Sequence, residues 1–365
     1  MDLRRPAPRA DATVRRVQTG DEGQPPIPRA AGPLGATLAD TSEDALLAQI
    51  FPLLRSSPDA PLADDPVLVG PGDDAAVLAI GRRSGSGDLV ATTDAMVRGR
   101  DWLDEWSSGE DVGAKIAAQN LADVAAMGAR PVGLLVTLVA EPSTPTAWAL
   151  DLSRGIGAAA AEAGCTVVGG DLSSAGEGVL MVSVTALGEL DGRRPVLRSG
   201  ARVGDVVAVC GTLGLADAGW RLLREGRQDA YPQAVARQRR PQPPLAMGPV
   251  AAHTATAMID VSDGLLRDAD RIARASGVCL DLQRARLAAD VERLTPALGV
   301  DVARECVLAG GEEHSLLATF PAADQVPDGF RVIGEVSAVP VDGSPGVLLD
   351  GGPSAARGWD HFASP

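Results

Sequence analysis

A chain of 365 residues is long for one hydrophobic core, so two domains are expected. At 45% hydrophobic and 22% charged the composition is that of a globular protein, and with only 3% aromatics the core must be packed from Ala, Val, Leu and Ile. A net charge of −15 leaves no basic stripe for a nucleic-acid backbone, but it is compatible with phosphate substrates held through metal ions.

Residues 1–35, rich in Arg, Pro, Ala and Gly without periodicity, read as a disordered extension or an over-long start, outside the fold. No apolar segment follows its arginines, so no secretory signal is expected. The longest apolar run, Pro131 to Ala140, falls well short of the roughly 20 residues a membrane span needs, and a cytoplasmic protein is the expectation. From Ser42 a Ser-x-Asp start leads into an amphipathic helix carrying Ala45, Leu46, Ile50 and Leu53. Strands follow at Val67–Val69, at AAVLAI after the turn GPGDD, and at DLVATTD, ending on Asp94. Glu110 to Met127 predicts a helix closed by Gly128 with Pro131 beyond. VGLLVTLVA, a helix from Thr146 to Ala163, CTVVGGD and VLMVSVTALGEL complete a first domain over residues 36–192, and a polar turn at Asp191–Pro195 opens a second over 193–365. There the strand DVVAVCG precedes a helix from Leu213 to Arg224, and residues 226–249 read as an Arg/Pro-rich connection. AMIDVSDGLL passes from strand to helix with Ser262 as N-cap; VCLDL, SLLATF and FRVIGEV are further strands, and RGWDHF is a polar-aromatic tail. The alternation gives an α/β or α+β fold without a solenoid period.

Carboxylates gather where strands or helices give way to loops: Asp73 and Asp74 in GPGDD, Asp94 in ATTD, Asp171 in GGD, Asp260 and Asp263 in IDVSDG. Strand ends at one sheet edge can converge, and Mg²⁺ takes oxygen ligands shared with substrate phosphates; Asp is also an ordinary turn residue. Asn120 and Asp123 share a face of the 110–127 helix, where an Asp among apolar neighbours calls for a partner or a metal unless it lies on a partly exposed edge. Gly155-x-Gly157-x-x-Ala160 lies inside a helix and precedes a strand, the reverse of a dinucleotide fingerprint, and reads as helix packing. There is no Walker GxxxxGK[ST], no protein-kinase signature and no GxSxG elbow, and Lys115 is the single lysine. Any nucleotide must therefore be neutralised by metals, arginines and backbone N–H groups; Arg198 is the best placed arginine, with a turn salt bridge as its other reading. Cys165, Cys210, Cys279 and Cys306 form no CxxC pair, and with three of them in or beside apolar runs they read as reduced thiols.

Taken in order, GPGDDAAVL, ATTDAMV, NLADVAAMGARP, VVGGD, LRSGARVGD, IDVSDGLL and LAGGEEH resemble the thiamine-monophosphate kinase family, within the superfamily of aminoimidazole ribonucleotide synthetase, from about Asp40 to the C-terminal WDHFASP. The resemblance implies a two-domain aminoimidazole ribonucleotide synthetase-like α/β (α+β) fold: an N-terminal domain that dimerises through its sheet, and a C-terminal α/β domain closing over the cleft. It implies ATP-dependent, Mg²⁺-dependent phosphorylation of thiamine monophosphate to thiamine diphosphate by direct in-line transfer. The family's metal ligands fall on Asp74, Asp94, Asp123, Asp171, Asp260 and Asp263, with oxygens from Thr92 and Thr93. Its nucleotide contacts fall on Gly170, Asp171, Arg198 and Ser262. Its acceptor contacts fall on Asp101, Glu312 and Trp359, whose ring could stack on a cationic heterocycle or simply dock the tail. Two positions depart from the family: Asp101 stands where His is usual, placing a carboxylate near an acceptor phosphate, and Glu313 replaces the usual Asp. Other readings are another ATP-using member of the superfamily, such as the purine cyclo-ligase, and a silent binder of thiamine phosphates. Selenophosphate synthetase and the hydrogenase-maturation relative fit less well, lacking here the N-terminal Cys and Lys of the one and the C-terminal Cys of the other.

Overall fold

In the computed structural model the residues described are 67–69, 73–79, 88–341, 343–354 and 358. The N-terminal extension, the helix expected from Ser42 and the tail RGWDHF, Gly358 apart, lie outside them. Among the described residues the chain forms two sheets, each built from one continuous stretch of sequence.

The first sheet contains β1 (Val67–Val69), β2 (Ala76–Leu78), β3 (Leu89–Val97), β4 (Arg130–Ala140), β5 (Thr166–Ser174) and β6 (Leu180–Glu189), in the order β1-β2-β3-β6-β4-β5. In β6, Leu180, Val182, Val184 and Ala186 are buried and alternate with partly exposed residues, the two-residue period of a strand with one face on a core. The pairing is antiparallel except for β4 with β5, a parallel pair joined by a helical crossover. Helices α1 (Gly109–Ala126) and α2 (Thr146–Glu162) supply the other side of that core, Val112, Ile116 and Leu121 packing with Leu152, Ile156 and Met96. Ser108 and Asp111 close a capping box at the start of α1. The two helices approach so closely that a Cβ on Gly113 would overlap the Leu152 carbonyl oxygen, and one on Gly155 the Glu110 carbonyl oxygen. Gly155 thus serves helix packing, as its position inside a helix implied, whereas Gly157 is exposed with open space around it.

The second sheet contains β7 (Val206–Cys210), β8 (Ala257–Val261), β9 (Cys279–Leu282), β10 (Ser315–Phe320), β11 (Phe330–Ser337), β12 (Gly346–Leu349) and β13 (Gly352–Pro353), in the order β13-β12-β9-β11-β7-β10-β8. On one face it packs α3 (Leu215–Arg224), α6 (Leu265–Ser276) and α8 (Val300–Ala309) through Leu222, Ile272 and Val307. On the other, Ala208, Met258, Leu316 and Phe320 meet Ala125 and Ala126 of α1. One helix therefore belongs to both cores. The four cysteines are free, and three of them are buried.

Several boundaries differ from expectation for identifiable reasons. β3 runs past Asp94 to Val97 because its pairing with β6 continues to Met181. α3 starts at Leu215, not Leu213, after Gly214 at φ 75°. Residues 226–249 are not an irregular connection: they hold a 3₁₀ turn at Gln228–Ala230, α4 (Pro232–Arg239) and α5 (Met247–Ala251). Pro232 pre-sets the first turn of α4, and Ala234 and Val235 pack into the second core. Ser262 does not cap α6; Gly264 occupies that position, and the Asp268 carboxylate accepts the Asp263 and Gly264 N–H groups at 3.0 and 3.1 Å. Between β9 and β10 the chain also forms α7 (Arg284–Leu298), directly before α8, two helices not singled out from the sequence.

The α1–α2 contact yields a test. Gly155→Ala must push the helices apart or strain α2, at a cost of about 1–3 kcal/mol, and should lower the thermal midpoint by several degrees. An unchanged midpoint in a melting scan would show that the interface has slack.

Candidate active site

A cleft of about 1280 Å³ lies between the two halves. From the first half Asp73, Asp74, Thr92, Asp94 and Asp123 line it; from the second come Arg198, Asp260, Ser262, Asp263, Glu312 and His314.

Strand alternation decides which β3 oxygens reach the cleft. The Thr92 hydroxyl donates to Asp123 Oδ2 at 2.8 Å. Thr93 points to the opposite face, where its hydroxyl donates to the Val184 carbonyl at 3.0 Å and accepts from Thr185 at 3.0 Å. Asn120, fully buried on α1, accepts the Asp94 N–H at 3.0 Å and donates to the Ile116 carbonyl at 2.9 Å, strapping β3 to the helix. Its neighbour Asp123 is the group on that face presented to the cleft.

The electrostatics are those of crowded like charges. Burial pushes the Asp123 carboxyl well above the usual carboxylate range, and the charges of Asp94, Asp260 and Asp74 push it further. Burial raises Asp74 to about 7, with Asp260 and Asp73 adding to the rise and Arg198 opposing it. Arg198 binds Asp74 through Nε at 3.0 Å and also through Nη2, while its backbone N–H donates to Asp73 at 3.0 Å. Asp74 Oδ2 is buried without a hydrogen-bond donor. An orphaned carboxylate oxygen facing further carboxylates is an environment that suits a hard divalent cation. Among the described residues no three His, Cys, Asp or Glu side chains stand together in metal-holding geometry. Mg²⁺ does not require such a cage, since it commonly takes one or two carboxylates and fills its octahedron with phosphate oxygens and water.

The second half contributes carboxylates that are already partnered. Asp260 is buried, its Oδ2 2.9 Å from His314 Nδ1. Asp263 pairs with Arg271 at 2.7 Å. Asp268, fully buried behind it, is pushed well above the usual range by burial and by the Asp263 charge. Glu313 is buried and turned away from the cleft: it accepts the Leu215 N–H, the Ala216 N–H at 3.0 Å and the Thr212 hydroxyl at 2.8 Å, so it caps α3. A negative charge at a helix N-terminus is favourable there.

Other candidates are placed differently. Gly170 and Asp171 lie on exposed β5, where Asp171 accepts from the Ser173 hydroxyl at 2.8 Å. Asp171 aligns with Thr137, Ser183 and Ala95 across the sheet, three strand spacings or roughly 14 Å from β3, so one chain does not bring it to the cleft. The Asp101 carboxylate accepts the Val97 N–H at 2.6 Å inside the turn after β3. Glu312 lines the cleft with its backbone in the left-handed region at φ 63° and pairs with Lys115 at 2.5 Å. Trp359 lies outside the described residues. Lys115, Asp268 and His314 were not singled out for the site from the sequence; a single lysine in an apolar helix was the available signal for the first.

Residues 72–190 match the family model of AIR synthase related protein, N-terminal domain, which sets the class of this two-domain fold. The thiamine-monophosphate kinase of Mycobacterium tuberculosis is 47% identical over 304 residues, covering 82% of this chain and 87% of that protein. That of Corynebacterium glutamicum is 39% identical over 278 residues, covering 73% and 81%. The solved structure of AaThiL complexed with AMPPCP and TMP is similar at a TM-score of 0.78 and 29% identity, over 90% of this chain and 100% of that one. The chain belongs to the thiamine-monophosphate kinase family.

The crowding of carboxylates predicts a stability gain on removing one. A carboxyl whose folded pKa is raised contributes stability below its unfolded value of about 4, and that contribution is lost as the pH rises through the folded value. In metal-free protein at about pH 8, Asp123→Asn should therefore be more stable than wild type, with the gain vanishing near about pH 4. Urea unfolding at the two pH values measures it; equal stability of variant and wild type at pH 8 would mean that Asp123 feels no such repulsion.

Proposed function

We propose that the cleft carries out ATP-dependent phosphorylation of thiamine monophosphate to thiamine diphosphate, with Mg²⁺ held by Asp74, Asp94, Asp123 and Asp260. The observation that carries the reading is the raised Asp74 carboxyl, its Oδ2 buried without a donor, set among Asp94, Asp123 and Asp260 in a chain of this family. The AaThiL complex, with an ATP analogue and TMP bound in a similar fold, supports the pairing of substrates.

An acceptor phosphate is already anionic at neutral pH and needs no general base; its oxygen attacks the γ-phosphorus in line and ADP leaves with the electron pair of the broken bond. The task of the residues is to align two anions and offset their charge. Bound Mg²⁺ would supply most of that charge at the phosphate oxygens. Arg198 brings a fixed cation from the second half to the same place, and Ser262 lies beside Asp260 and Asp263 as a nucleotide contact. Thr92 holds Asp123 and His314 holds Asp260, which limits how far each carboxylate can rotate. Asp263 serves best as a partner for Arg271, and Thr93 as a strut of the sheet.

The acceptor lies toward Asp101 and Glu312. The enzyme acts as a homodimer formed through the first sheet, where Leu135, Val167, Val168 and Leu172 are exposed. In such a pair the Gly170–Asp171 segment serves a nucleotide bound against the second copy. The domains divide near residues 192 and 193, between β6 and β7. The working location is the cytoplasm; no helix among the described residues is long and apolar enough to cross a membrane.

Purified protein with ATP, Mg²⁺ and thiamine monophosphate should form thiamine diphosphate and ADP in equal amounts, followed by mass spectrometry. Asp123→Asn should fold normally and lose about two or more orders of magnitude in turnover. ADP and inorganic phosphate with the acceptor unchanged would reject the kinase reading, and near-normal turnover of Asp123→Asn would make that carboxylate structural.

A further inference from the structure

Lys115 is the chain's single lysine, and it is buried to 3% exposure within α1. An ammonium in such a place is costly unless it is paired. Its Nζ lies 2.5 Å from Glu312 Oε1 and 3.4 Å from the Asp101 carbonyl oxygen. One cation from the helix common to both cores thus joins two loops: the turn after β3 in the first half, and the loop before β10 in the second.

The Glu312 backbone is fixed independently of this contact. Its N–H donates to the Ser262 carbonyl at 2.8 Å, a Cβ on Gly311 would overlap that same carbonyl oxygen, and the next residue, Glu313, is anchored by capping α3. The Glu312 side chain, 38% exposed, is what remains to be oriented, and Lys115 orients it. Lys115 and Asp123 are eight residues apart, so they share a helix face at a separation of about 12 Å. Helix α1 therefore carries the carboxylate that faces the metal region and the cation that faces the loops at the other end of the cleft.

Resting on the kinase reading, we propose that Lys115 is a positioning residue for the acceptor. It neutralises and aims Glu312 and ties the Asp101 turn to α1, so that an anionic acceptor with a cationic ring meets an oriented, charge-balanced pair. An uncompensated Glu312 carboxylate at that end would repel the acceptor's phosphate.

The test is steady-state kinetics, with both substrates varied, on wild type, Lys115→Met, Glu312→Gln and the double variant. Loss of a charge-assisted contact predicts a rise of roughly tenfold or more in KM for thiamine monophosphate in Lys115→Met and in Glu312→Gln. With only acceptor binding affected, kcat and KM for ATP should stay within about threefold, and the double variant should be no worse than either single one. An active wild type whose Lys115→Met or Glu312→Gln variant keeps its acceptor KM within about twofold overturns the proposal, as does a uniform fall in all parameters. Should Lys115→Met fail to fold, Lys115→Gln, which keeps a polar end at the buried site, is judged by the same criterion. A wild type that forms no thiamine diphosphate rejects the kinase reading itself and this inference with it, an outcome visible before any variant is compared.

Discussion

Burial of Asp74 and Asp123, with the charges of Asp94 and Asp260 crowded beside them, is the constraint on which the site depends. Left to themselves, carboxylates in partly buried surroundings separate or take up protons. Here they can do little of the first. Asp94 and Asp123 are held by the β3–α1 strap of Asn120 and Thr92, and Asp260 by a fully buried strand and His314. Proton uptake is the remaining response, and the elevation of Asp74 and Asp123 is its signature. The same stored repulsion gives a divalent cation its purchase.

Helix α1 is what makes the arrangement rigid. Its Val112, Ile116 and Leu121 face the first core while Ala125 and Ala126 face the second sheet. At its C-terminal end a Cβ on Gly248 of α5 would overlap the Ala125 carbonyl oxygen, so the contact is made backbone to backbone. The two halves are thereby registered through a helix that also presents Asp123 to the cleft and holds Glu312 through Lys115. Arg198, from the second half, spans back to Asp73 and Asp74 of the first. Charge and packing thus fix the same interface.

Much of this was legible in the sequence because strand ends and helix faces follow simple periods. The apolar runs located most strands of both sheets; the placement of Asp73, Asp74, Asp94, Asp171, Asp260 and Asp263 at element ends suggested one locus, and the helix face of Asp123 a further ligand. What periodicity could not give was partnership across the chain. Asp263 and Asp260 look alike in IDVSDG, yet one faces Arg271 and the other His314. Thr92 and Thr93 differ only in which side of a strand they occupy. Glu313 reads as part of a motif, but its carboxylate caps a helix that begins 98 residues earlier. Ser262 had the chemistry of an N-cap without the backbone, because Gly264 makes the turn and Asp268 satisfies it from within the helix. Asp171 is a comparable case: one chain leaves it on an exposed edge.

Proton release on cation binding tests the central claim most directly. If Asp74 and Asp123 hold protons in the metal-free protein because burial and then their neighbours' charges disfavour ionisation, Mg²⁺ must displace those protons as it binds. Calorimetric titration of Mg²⁺ in buffers of different ionisation enthalpy counts them. The account predicts proton release at pH 7, on the order of one proton per chain, that falls as the pH rises through the raised value of Asp74. Saturable Mg²⁺ binding at pH 7 without proton release would contradict it.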